Sequence, residues 1–228
     1  MPRDDYDFWV FDLDGTLVDI EPSYPREVLT EVGDRLGVTF TDRDVTVLWY
    51  GMGGTREQCL RRHGVDPVTF WETFHEVEDP LARASATFLY DDVERFVGAI
   101  DGPVGLVTHC QEYLTDPVLD ELDIGDWFDS VVCCTEEIGW KPDPGPVEQV
   151  MTDMGVGYNG HAGIPASGAS GSSGGRRPAG VMAGDDADDV GAAWNAGLDA
   201  VHVERHDPHE RGQCVMGDHR VTSFTELH

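Results

Sequence analysis

The strongest constraint on the fold of this chain is the spacing of five short apolar runs. They are Phe8–Phe11, Val104–Val107, Ser130–Cys133, Gly180–Ala183 and Ala200–Val203. Each has the length of a buried strand, and the segments between them are long enough for helices. Strands alternating with helices predict an α/β protein with a parallel sheet covered on both faces. The first gap is too long for one crossover. Residues 17–89 hold five helix-like stretches, at Tyr24–Leu36, Asp42–Trp49, Thr55–His63, Val68–Val77 and Pro80–Thr87. We expect a small helical insert there, with the core formed by residues 1–16 and 90–228 and re-entered through Asp91–Ile100. The Gly/Ser-rich stretch 163–180 offers nothing to a core and reads as a flexible surface loop. It lacks the Gly-Lys-Ser/Thr ending of a phosphate loop.

Charge narrows the partners. Fifteen Lys and Arg stand against 44 Asp and Glu, a formal charge of −29. Phosphate backbones need a basic footprint, so nucleic acid is excluded as an expected partner, and anionic membranes are disfavoured. Six Trp and nine Phe argue against disorder. An acidic, lysine-poor surface suits high salt, where self-repulsion is screened. Five cysteines form no CxxC pair and are read as reduced thiols of a cytoplasmic protein. The sequence shows no signal-like segment and no apolar run of membrane-spanning length.

Chemistry concentrates where the apolar runs end. The first is followed by Asp12-Leu13-Asp14-Gly15-Thr16. Two acids just past a strand end can splay toward one pocket, and Gly15 permits a turn whose amides meet an anion. Ligands of α/β proteins bind beyond the carboxyl ends of parallel strands. Two carboxylates beside a phosphate call for a hard, oxygen-liking cation, and magnesium fits. The second run ends in Thr108-His109, a hydroxyl able to donate to a phosphoryl oxygen. The third leads to Lys141, the only lysine in the chain, in Gly139-Trp140-Lys141-Pro142-Asp143-Pro144. The fourth leads to Gly184-Asp185-Asp186-Ala187-Asp188-Asp189, ahead of a helix-like stretch. Each site alone has a structural alternative: an Asp-Gly turn, a strand-end threonine, a surface lysine, an acidic helix start.

Together and in this order, the four sites resemble the haloacid dehalogenase superfamily. Asp12-x-Asp14-Gly-Thr matches its first motif, Thr108 its second, Lys141-Pro its third, and Gly184-Asp185 with Asp189 its fourth. The resemblance implies a Rossmann-like core whose insert is a C1 cap, in a subgroup similar to phosphoglycolate phosphatase and β-phosphoglucomutase. It implies that Asp12 attacks phosphorus to form an aspartyl-phosphate, while Asp14 protonates the leaving oxygen and later takes a proton from water. Mg2+ would be held by Asp12, the Asp14 backbone carbonyl and Asp185. Asp189 and Thr16 would support the site, and Thr108 and Lys141 would hold phosphoryl oxygens.

The departures are His109, where many relatives have Asn, and Asp186, where many have Ser. His109 either touches substrate or packs; Asp186 extends the acidic surface. Arg56 in the cap pairs either with a substrate anion or with Glu57 or another neighbour. His202, His206 and His209 span the last strand run and the loop after it, and form either a transition-metal site or scattered histidines of a variable acidic loop. The expected activity is Mg2+-dependent hydrolysis of a small phosphorylated metabolite, of phosphoglycolate or sugar-phosphate type. The alternatives are a phosphomutase and a non-catalytic phosphate-binding protein. Oligomeric state is not legible.

Overall fold

The computed structural model describes residues 5–51, 53–156, 179–206 and 217–227. The core is a six-stranded sheet. Its strands are β1 (Phe8–Phe11), β4 (Val104–Thr108), β5 (Ser130–Cys133), β6 (Gly180–Gly184), β7 (Asp199–Val203) and β8 (His219–Val221). Their order is β5-β4-β1-β6-β7-β8, and every neighbouring pair is parallel. The chain builds outward from β1 on one side, then crosses to build outward on the other. β1 is therefore central, between β4 and β6, and the switch in direction falls at its carboxyl end, the usual ligand crevice of such sheets.

The alternation of side chains along β1 divides the core. Phe8 and Val10 pack with Val147, Val150 and Met151 of α8 (Gly145–Asp153) and with Val190, Ala192 and Ala193 of α9 (Ala187–Asn195). Trp9 and Phe11 face the other layer. There they meet Phe96 of α6 (Val93–Val97), Val118 and Leu119 of α7 (Glu112–Glu121), and Phe224. Both faces are buried, so the strands read as continuous apolar runs.

Residues 23–86 form five helices: α1 (Ser23–Leu36), α2 (Asp42–Tyr50), α3 (Gly53–His63), α4 (Pro67–Val77) and α5 (Pro80–Ala86). Their starts follow local chemistry. Thr41 and Asp44 make a capping box at α2. Asp66 and Asp79 each accept an amide three residues on, with proline in the first turn of α4 and α5. The helices have their own core, including Val28, Leu29, Val32, Leu60, Phe70 and Phe74. Two short strands were not expected from sequence. β2 (Val18–Ile20) and β3 (Thr87–Leu89) pair antiparallel and form the two-stranded neck of the insert. Edge strand β8 was also missed, being three residues long with two of them polar.

Of the Gly/Ser-rich stretch, residues 163–178 lie outside the described residues, and Gly180 opens β6. Cys214 and His209 also lie outside them, and the four described cysteines are free thiols. Among the described residues, no helix is long and apolar enough to cross a membrane.

Candidate active site

The carboxyl ends of β1, β4 and β6 carry three of the four predicted sites, and the loop after β5 supplies the fourth. The Asp12 amide donates to Ala183 O at 2.9 Å, which extends the sheet ladder one residue past β1. The chain then turns. Gly15 has φ of 81°, and the amides of Leu17 and Val18 both return to Leu13 O. This turn separates the two acids. Asp12 points into the buried interior at 6% exposure, whereas the Asp14 side chain is 40% exposed.

Lys141 joins the sites. Its Nζ donates to Asp12 Oδ1 at 2.6 Å and to Val107 O at 3.2 Å, and it lies 2.7 Å from Asp189 Oδ1. Two of its protons are hydrogen-bonded, to Asp12 and to Val107 O, and the Asp189 carboxylate pairs with it as a charge. Asp189 in turn accepts from the Asp186 amide through Oδ2 at 2.9 Å, so one carboxylate both starts α9 and holds the lysine. This contact depends on Gly184: a Cβ there would sit 2.2 Å from Asp189 Cβ. Asp186, expected as surface, is the N-cap of α9. Thr16 Oγ1 lies 3.3 Å from Asp12 Oδ2 and 3.4 Å from Asp185 Oδ1, and its single proton serves one of them at a time. Thr108 is buried, and its Oγ1 accepts the Cys110 amide at 2.9 Å, which leaves its own proton available to a ligand.

Three buried carboxylates, Asp12, Asp185 and Asp189, converge with ligand atoms within 4.8 Å of one another. One lysine cannot neutralise three acids. Burial, opposed by Lys141 and reinforced by the Asp189 charge, pushes Asp12 up to about 7. Burial opposes the charge on Lys141, but Asp12 and Asp189 outweigh it and raise its pKa. An all-oxygen donor set with excess negative charge fits a hard divalent cation such as Mg2+. The Asp14 carboxylate lies outside this set.

Asp14 has another partner, one that the sequence does not reveal. Arg83, on α5 of the insert, donates to Asp14 Oδ1. Its guanidinium also lies 3.8 Å from Glu78 and 5.4 Å over the Trp49 ring. Burial, offset by Arg83 and aided by Asp14, pushes Glu78 up to about 7. Nothing local marks an arginine in an alanine-rich short helix as the partner of an acid 69 residues away.

These groups line one cavity of about 680 Å³ between the sheet and the helical insert. Trp49, Trp71 and Phe74 form its apolar wall, with Arg56 and His109 beside them. Arg56 donates to Trp49 O at 2.9 Å and lies 5.9 Å over Trp71, while Glu57 faces Arg61, so the Glu57 pairing expected as one alternative for Arg56 is not seen. His109 opens into the cavity with its ring against Trp140; burial and Lys141 lower it to about 4, so it is neutral near pH 7. The two described histidines of the His202, His206 and His209 group serve separate partners. His202 is buried in β7 and donates to Asp185 O at 3.0 Å, and His206 meets Asp19 at 3.2 Å. A second missed residue is Arg205, which donates twice to Thr16 O, at 3.2 and 3.0 Å, and once to Asp92 at 2.9 Å.

A parallel sheet with this acid–lysine constellation at its switch point defines a hydrolase of one family. The chain belongs to the haloacid dehalogenase-like hydrolases, whose sequence model matches residues 7–197. It is 28% identical over 171 residues to the phosphoglycolate phosphatase of Escherichia coli O157:H7, covering 64% of this chain and 68% of that one. Among solved structures it resembles a Lactobacillus plantarum protein described as a candidate phosphoglycolate phosphatase, with a TM-score of 0.72 at 20% identity over 99% and 98% of the chains. It also resembles a candidate β-phosphoglucomutase from Thermotoga maritima, with a TM-score of 0.61 at 18% identity over 95% and 94%. At those identities the structural likeness speaks for the fold.

Proposed function

We propose that the chain is a Mg2+-dependent phosphatase of a small phosphorylated metabolite, working through an aspartyl-phosphate on Asp12. The observation that carries this reading is the buried Asp12–Lys141–Asp189 chain beside Asp185, open to a cavity that the helical insert roofs. Phosphoglycolate phosphatase relatives support a small organophosphate substrate. Asp12 and Asp185 would hold the cation, with the Asp14 backbone carbonyl as the family resemblance implies. Bound there, Mg2+ supplies positive charge between nucleophile and phosphoryl group.

The residues divide the labour by environment. Asp12 Oδ1 is held by Lys141, and the Asp12 Oδ2 side faces Thr16, so the carboxylate is fixed in orientation before attack. Lys141 is hydrogen-bonded to Asp12 and Val107 O and ion-paired with Asp189. As an Asp12 oxygen bonds to phosphorus, its negative charge passes to the phosphoryl group. The Lys141 contact with Asp12 can then transfer to a phosphoryl oxygen while Asp189 and Val107 O keep the ammonium in place. Thr108 offers its free proton to another phosphoryl oxygen. Asp14, more exposed and facing the insert, is the acid for the leaving oxygen and then the base for water. Residues 17–89 act as the cap that shapes the leaving-group pocket, where Trp49, Trp71 and Arg56 touch the organic portion. His109, being neutral, contributes a hydrogen bond and no charge.

The test is phosphate release from aryl phosphate and from a panel of phosphorylated metabolites, with Mg2+ and with chelator, at low and high salt. Asp12→Asn removes the nucleophile and is expected to abolish turnover. Undiminished Mg2+-dependent hydrolysis by that variant refutes the mechanism. Isomer formation without phosphate release reassigns the chain as a mutase.

A further inference from the structure

The helical insert contains a second convergence of ligating groups, and none of its members lines the catalytic cavity. Cys59 and His63 are four residues apart on α3, so they project from one helix face. Asp44 meets them from α2. Cys59 Sγ lies 3.3 Å from Asp44 Oδ1, and His63 Nε2 lies 3.1 Å from Asp44 Oδ2. One ligand atom from each of the three falls within 4.8 Å of the other two. Cys59 is fully buried and Asp44 is 6% exposed, while the His63 side chain keeps 23% exposure and leaves an entry path.

We propose that Asp44, Cys59 and His63 bind one divalent cation of the zinc class, with solvent as the fourth ligand. The donor types favour this metal. Thiolate and imidazole suit Zn2+ and reject Mg2+, which wants oxygen alone. The spacing favours it too. A tetrahedral zinc with bonds of about 2.0–2.3 Å places its ligand atoms about 3.4–3.6 Å apart. Cys59 and His63 reach different oxygens of Asp44, at 3.3 and 3.1 Å, so binding requires the three side chains to adjust around the carboxylate, which can ligate through either oxygen.

The surroundings are arranged for orientation. Asp44 Oδ2 accepts from the Thr41 amide at 2.9 Å and from Thr41 Oγ1 at 2.7 Å, which fixes the carboxylate plane. The Phe40 ring packs against the His63 ring with centroids 5.1 Å apart. The competing cation is Arg62, whose guanidinium lies 3.6 Å from Asp44 Oδ1. Its side chain is 64% exposed, so it can leave for solvent at small cost. Binding converts the Cys59 thiol to thiolate and releases its proton to solvent. Burial and the Asp44 carboxylate raise that thiol, so affinity increases with pH. The occupied site ties α2 to α3 without touching the residues of phosphate chemistry.

The test is a Co2+ titration of the full-length, chelator-stripped protein in excess Mg2+, read by thiolate-to-cobalt charge-transfer absorption. One equivalent is expected to generate the band, and Zn2+ is expected to bleach it. Cys59→Ser removes the band, and His63→Ala weakens Co2+ binding by at least about tenfold. His63 is partly exposed, so its variant keeps the measurement interpretable if Cys59→Ser does not fold. Asp12→Asn leaves the band unchanged. No band in the unmodified protein overturns the proposal. A band that persists in Cys59→Ser, or binding undiminished in His63→Ala, also overturns it. None of these outcomes depends on phosphatase activity.

Discussion

Replacing Lys141 by methionine keeps most of the aliphatic stem and deletes the charge. Asp12 and Asp189 then face each other in a buried space with no counter-ion, since both take their only described cation from Nζ. Removing one partner of a buried ion pair costs about 3–5 kcal/mol. Loss of one preorganised donor to the phosphoryl group costs turnover about 10²–10³-fold. The sequence alone suggests that catalysis suffers far more than folding. The burial of this lysine at 5% exposure adds a folding cost, and that cost has a pH signature. The Asp12 carboxyl already stands near 7, well above its ordinary 3.8. A carboxyl raised in the folded state binds more protons there than in the unfolded chain between those two values. Stability from this group is therefore present at low pH and is lost as pH rises through about 7. Without Lys141 the carboxyl rises further, so Lys141→Met is least destabilised near pH 5 and most near pH 8. Thermal melts of chelator-treated protein across that range, beside Mg2+-dependent phosphate release, measure both effects. A variant with turnover within threefold of the parent, or with a stability loss that does not shrink on acidification, refutes the reasoning.

Gly184→Ala places a methyl group against the Asp189 side chain. It is expected to cost about 1–3 kcal/mol and to lower turnover by displacing the partner of Lys141, as checked by melting and steady-state kinetics. Arg83→Gln leaves Glu78 buried without its cation. It is expected to destabilise the protein by about 3 kcal/mol at pH 8 and by less at pH 5, since the Glu78 carboxyl stands near 7 and takes up a proton on acidification. Mg2+ at 100 times its dissociation constant is expected to add about 2.7 kcal/mol of stability, and Asp185→Asn to abolish most of that gain in a melt with and without metal.

How much was legible follows from what sequence encodes locally. The five apolar runs and the five helical stretches of the insert were readable because each carries its own period, cap or proline. Strands β2, β3 and β8 are three residues long, too short to show a period, and are set by pairing. Asp12, Lys141, Asp185 and Asp189 could be placed together because each follows a strand end of one parallel sheet. Arg83 and Arg205 could not, because their partners lie 69 and 189 residues away and no local pattern records such a meeting. His202 was legible as a strand residue, but not that its ring turns inward to the Asp185 carbonyl, a partner 17 residues away.

Arg205 has a bearing on how this protein can be recombined. The family match ends at residue 197, yet the guanidinium that grips the Thr16 carbonyl lies beyond it. That side chain is sandwiched by Tyr90 at 4.3 Å and Phe224 at 4.9 Å, and Asp92 binds it along with Ser223 and the Phe224 amide. The turn bearing the proposed acid is thus clamped by Arg205, which Tyr90, Asp92 and Phe224 hold in place. A chimera that takes its first half from a relative and its tail from this protein would join two halves of a clamp never fitted to one another. The crossover points that preserve it keep residues 12–16, 90–92 and 205–224 from a single parent.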